Sequence, residues 1–87
     1  MLGRLTVAEA VFGGMPQWLL EEYLLELGGA RTTSAGELAG EGWRATLTSR
    51  RDGHAGIGIT RMEVRIEGAA ADATLAALRT KAQRGGG

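Results

Sequence analysis

His54 stands two residues after Asp52, in Arg51-Asp52-Gly53-His54, and a carboxylate that close can raise the proton affinity of an imidazole. General acid or base work also needs a pocket. Asp-Gly is among the strongest hairpin dipeptides, so this histidine falls at a turn that seldom encloses a substrate. Ser34, Ser49 and the threonines have no histidine and acid spaced to activate them. Glu21, Glu22 and Glu26 share one helical segment, but at about 100° per residue they flank its apolar faces instead of converging as a carboxylate pair. A single histidine, no cysteine and scattered carboxylates form no recognisable metal-ligand set. The glycines spell neither Gly-Lys-Ser nor Gly-x-Gly-x-x-Gly, so no phosphate cradle is indicated. The sequence therefore assigns no catalytic, cofactor-binding or metal-binding residue, and it points away from an enzyme.

Trp43, Arg44 and Arg61 supply a ring and two cations able to line a groove for a flat ligand. Core packing explains Trp43 and Tyr23 as readily, because the basic residues are dispersed along the chain and do not cluster around the rings.

Ten basic residues balance ten acidic ones, so no net field draws the chain to nucleic acid or to an anionic membrane surface. With 44% hydrophobic and 23% charged residues, an 87-residue chain reads as globular. Residues 1–87 form one small domain with a glycine-rich end, and a domain of that size buries only about 60–65% of its unfolded surface. No apolar run approaches the roughly 20 residues of a membrane span. Arg4 and Glu9 interrupt what would have to be the apolar region of a signal peptide, and the absence of cysteine suits a reducing compartment. The expectation is a cytoplasmic protein. Lys81 is the only lysine and asparagine is absent, a composition suited to a thermophile or a GC-rich genome.

The glycines divide the chain. Thr6-Val7-Ala8-Glu9 has the form of a capping box, which admits a short helix through Phe12, whereas Leu5 and Val7 admit a strand; the residues leave both open. Pro16 suits a first helical turn, and residues 16–27 read as a helix closed by Gly28-Gly29. Residues 30–34 allow a short edge strand. Residues 43–50 alternate, with Trp43, Ala45 and Leu47 on one face and Arg44, Thr46 and Thr48 on the other. After a turn at Arg51-Asp52-Gly53, a second strand covers residues 56–67. Ile57 and Ile59 are out of phase with Met62, Val64 and Ile66, which predicts a β-bulge at Thr60-Arg61; the alternative places the two isoleucines on the opposite face. Arg61, Glu63, Arg65 and Glu67 form a solvated outer row. Residues 69–83 form a last helix, with Ala71, Leu75, Leu78 and Ala82 on its apolar stripe. The fold class is α+β, an antiparallel sheet of two to three strands with helices packed on one face.

The helix at 16–27 carries two apolar faces. Leu19, Leu20, Tyr23, Leu24 and Leu27 gather on a broad stripe that can cover the sheet, while Trp18 and Leu25 fall on the opposite side. That second face needs a partner, and a second copy of the chain is the simplest one, with Trp18 and Leu25 as interface residues. The expected function is a non-catalytic binding or assembly module acting as a homodimer or with another protein. A small-ligand-binding protein is one alternative.

The terminus, Gln83-Arg84-Gly85-Gly86-Gly87, carries another. A Gly-Gly end after a small α+β domain resembles the tails of ubiquitin-like sulfur carriers and modifiers. The resemblance covers the last few residues. It implies a β-grasp fold in which a strand leads into the tail, and a C-terminal carboxylate that is adenylated and loaded because two glycines let it thread into an activating enzyme. The chain as a whole also resembles a small family of short proteins from thermophilic bacteria with no assigned activity. That likeness rests on Trp18-Leu19-Leu20, Tyr23-Leu24-Leu25-Glu26-Leu27-Gly28-Gly29, Gly42-Trp43-Arg44-Ala45 and Arg84-Gly85-Gly86-Gly87, and it transfers no site residues.

Overall fold

The computed structural model describes residues 6–54 and 57–85, with side chains except at 52–54, 57, 59 and 85. Strand β1 spans Val7–Gly13, helix α1 Gln17–Glu26, β2 Ala30–Arg31, β3 Glu37–Gly40, β4 Trp43–His54, β5 Ile57–Glu67 and helix α2 Ala71–Gly85. The strands form one five-stranded sheet in the order β1-β5-β4-β3-β2, and every neighbouring pair is antiparallel. The fold is α+β, as the sequence predicts, but the sheet has five strands where two to three are expected. One of the additional strands is β3, whose Glu-Leu-Ala-Gly is too short and glycine-flanked to show a period, although its Leu38 is fully buried.

Residues 7–13 resolve as a strand. The capping-box reading fails there because Ala8 lies opposite Ile66, Ala10 opposite Val64 and Phe12 opposite Met62. Pairing with β5 buries those apolar groups, and tertiary contact outweighs a local cap. Helix α1 starts after Pro16. It ends in a Schellman arrangement, with the Gly29 amide donating to the Leu24 carbonyl at 3.0 Å and the Gly28 amide to Leu25 at 3.1 Å. Gly28 takes φ +97°, which a side chain rarely adopts.

The core lies between the helices and one sheet face. Leu20 and Leu24 of α1 and Ala71, Leu75 and Leu78 of α2 meet Leu38, Ala45, Leu47, Met62, Val64 and Ile66. The alternation read for β4 holds, since Trp43, Ala45 and Leu47 are buried and Arg44, Thr46 and Thr48 are exposed. Helix α2 packs under β1 and β5, and α1 meets β2 and β3. Lys81 Nζ donates to Glu26 Oε1 at 2.7 Å between the two helices.

Two local expectations are corrected. The β4–β5 register is unbroken from Arg44↔Glu67 to His54↔Ile57, so no bulge interrupts Thr60-Arg61. Ile57 and Ile59 instead occupy odd positions, in register with the outer row. Their phase differs because β1 ends at Gly13↔Arg61 and β3 pairs no farther along β4 than Thr46. Residues beyond those points form a two-stranded ribbon past the core, where burial no longer sets the period. Arg51-Asp52-Gly53 likewise belongs to the ribbon, with Asp52 opposite Ile59 and Gly53 opposite Gly58; the reversal follows His54 and lies outside the described residues.

Candidate functional site

The groove expected from Trp43, Arg44 and Arg61 is not assembled. Trp43 is buried on the helix-facing side of β4, whereas Arg44, next in the same strand, is exposed and carries Glu37 Oε2 3.9 Å from its Nε on the other side. Arg61 pairs with Arg50 and with Gly13, while Arg44 pairs with Glu67. The six positions from Glu67 to Arg61 place the two arginines about 20 Å apart along the sheet. The ring and the cations therefore share no surface.

The outer sheet face, which neither helix covers, holds a shallow concavity of about 700 Å³ lined by Glu9, Val11, Thr46, Thr48, Glu63 and Arg65 among others. Glu63, Arg65 and Glu67 of this lining are paired within the face. Arg50 Nη1 donates to Glu63 Oε2 at 2.9 Å, and Arg65 Nε to Glu67 Oε2 at 3.1 Å. This is the alternating row read from the sequence, and ion pairs so exposed contribute at most about 1 kcal/mol each. Among the described residues no three histidine or acidic side chains gather as a metal site. His54 belongs to β4, opposite Ile57 in the ribbon, and its side chain lies outside the described residues.

The two residues expected at an interface separate. Trp18 is 64% exposed on α1, while Leu25 is half-buried and packs against the core. Helix α1 thus presents the indole alone and not a two-residue apolar face.

At the other end of the chain α2 runs helically through Gly85. Among the described residues a helix, not a strand, leads toward the final glycines, unlike the β-grasp arrangement that the carrier-like tail implies. Leu78 is the last fully buried residue of α2, Ala82 is half-buried, and Gln83 and Arg84 are exposed. Beyond Leu78 no described residue of α2 is fully buried. The final Gly86 and Gly87 lie outside the described residues.

A five-stranded antiparallel sheet, in which β2 to β5 form a meander and β1 joins beside β5, backed on one face by two helices, places the chain among small two-layer α+β domains, a class that carries no activity by itself. Within that class, the family model described as "Archaeal MoaD-like protein" matches residues 8–87, and the chain belongs to that family. Compared with curated proteins, the chain matches none. The match agrees with a small family of short proteins; it carries nothing about a thermophilic bacterial source. No described helix is long and apolar enough to cross a membrane.

Proposed function

We propose that this chain is a carrier of the ubiquitin-like, sulfur-carrier type that works through the carboxylate of its glycine end. The observation that carries the reading is the match to an archaeal MoaD-like family, which extends through residue 87 and so takes in Arg84-Gly85-Gly86-Gly87. The chemistry belongs to the terminal carboxylate. Its oxygen attacks the α-phosphorus of ATP with loss of pyrophosphate, and a sulfide-donating partner then displaces AMP to leave a thiocarboxylate. The glycines serve this by having no side chain to obstruct a narrow channel.

The reading must accommodate a helical approach to the tail. Unwinding beyond Ala82 releases the exposed Gln83 and Arg84 and one described glycine, and a glycine in a helix costs about 1 kcal/mol relative to alanine. The five residues beyond Ala82 then reach about 17 Å when extended. Intact-mass measurement after incubation with ATP and an extract of the source cells tests the proposal. An AMP adduct or thiocarboxylate is expected on the full chain and on none lacking Gly86-Gly87; an unchanged mass would overturn it.

A second reading, a non-catalytic binding or assembly module acting as a homodimer, draws on the exposed indole of Trp18. An aromatic ring held outward on a rigid helix is the kind of side chain that anchors protein interfaces. Small-ligand binding has no comparable support, because the three residues read for it lie on two sheet faces.

A further inference from the structure

The chemistry proposed for the glycine end creates a hazard within the same molecule. An activated carboxylate reacts with any strong nucleophile it meets, so the chain's own nucleophiles decide how long the activated form lasts. They are few. The chain has no cysteine, and every basic side chain but Lys81 is an arginine, whose guanidinium stays protonated and has no lone pair to offer. The hydroxyls have no base placed to activate them. Lys81 is the one side-chain amine, and it stands in the run Lys81-Ala82-Gln83-Arg84-Gly85-Gly86-Gly87 that ends in the proposed acyl group.

Distance does not protect it. The five residues beyond Ala82 reach about 17 Å when extended, enough to turn back onto the side chain of Lys81, and the glycines offer such a turn little steric resistance. Short flexible connections hold their ends together at effective concentrations in roughly the millimolar range. That is far above a micromolar protein in solution.

The amine is engaged elsewhere. Lys81 Nζ donates to Glu26 Oε1 at 2.7 Å and ties α2 to the last residue of α1. The lysine side chain is 31% exposed and the glutamate 56%, so the pair opens to solvent and is not locked in the core. Among the described residues after it, Ala82 is half-buried and Gln83 and Arg84 are exposed.

We propose that Lys81 is the site at which the activated end is captured within its own chain, as an internal amide, and that the ion pair with Glu26 holds this capture in check. The proposal rests on the carrier reading. In the step, Nζ leaves Glu26, gives a proton to water and bonds to the carbonyl carbon of Gly87, while the acyl–oxygen bond to AMP breaks and AMP departs with the electron pair. The ring closes through residues 81–87. Its product has no carboxylate left to load, so each capture removes one carrier. Glu26 acts only through Lys81 and is a positioning residue, competing with the acyl carbon for the same nitrogen.

A full chain ending in a mercaptoethanesulfonate thioester, released from an intein fusion, tests this without an activating enzyme. Followed by intact mass, wild type should convert slowly to a species one water lighter than the free acid, at a rate independent of protein concentration, with peptide mapping placing the new bond between Lys81 and Gly87. Glu26→Gln should speed the conversion about two- to fivefold, the range open to one exposed ion pair, at an unchanged unfolding midpoint. Added salt should speed wild type and leave Glu26→Gln unmoved, because screening weakens the pair. Lys81→Arg should leave hydrolysis alone. Hydrolysis alone in every variant, capture at the terminal amine, or equal rates for wild type and Glu26→Gln overturns the proposal. Those results leave the carrier reading standing, because the thioester is made without it; a Lys81 amide from the thioester with no AMP adduct from ATP overturns that reading alone.

Discussion

Gly40 lies opposite Trp43 in the β3–β4 ladder, and the indole folds back over it so closely that a Cβ on Gly40 would collide with the ring at Cε2, Cζ2 and Nε1. The far edge of the same ring covers Gly29, where a Cβ would come 2.5 Å from Cη2. Trp43 thus seals the end of the core between β3 and the C-terminus of α1, and two glycines leave it room.

Gly40→Ala should therefore destabilise the fold by about 1–3 kcal/mol, the range for overpacking a filled core. Gly13→Ala is the control, because a Cβ there meets nothing within 4 Å. In thermal unfolding, the lower bound for Gly40→Ala corresponds to about 4–8 °C for a domain of this size. Equal midpoints for the two variants would show that the indole moves aside at no cost.

What the sequence revealed follows burial. Trp43, Ala45 and Leu47 alternate because β4 has one face on the core, and Ala71, Leu75 and Leu78 recur at helical spacing because α2 covers β1 and β5; both patterns were legible. Residues 57–60 misled because the ribbon leaves the core, so the phase of Ile57 and Ile59 records no inward face. Strand β3 was missed because one buried leucine makes no period. For the candidate site, the type of Trp43, Arg44 and Arg61 suggested a groove, yet consecutive residues of a strand face opposite ways, which alone separates Trp43 from Arg44. Leu25 was read as an outward partner of Trp18 from a helical wheel, which cannot show that the core extends around that side of α1.

Trp18→Glu should leave the unfolding midpoint within about 0.5 kcal/mol of wild type, as surface substitutions usually do, because Trp18 is 64% exposed and takes no part in the buried cluster. The informative measurement is association. Under the assembly reading, the variant loses a partner or self-association that wild type shows in sedimentation and co-purification, at unchanged stability. A marked drop in midpoint would instead assign the indole a packing role within the monomer.

Gly85→Ala tests how the helix end serves the tail. Alanine favours the helix by about 1 kcal/mol over glycine, and with Gln83 and Arg84 exposed, no described side chain of the last turn packs on the core to oppose it. The substitution should extend the helical signal in circular dichroism slightly and leave global unfolding unchanged, since the core of α2 ends near Ala82. Under the carrier reading the cost of releasing the carboxylate rises with it, so the rate of AMP transfer at limiting enzyme should fall several-fold. Loading at the wild-type rate would mean that the tail is already extended before it is engaged and that Gly85 has no gating part. Loss of loading far beyond several-fold would point to direct contact between the activating enzyme and the Gly85 backbone, where the added methyl group obstructs entry.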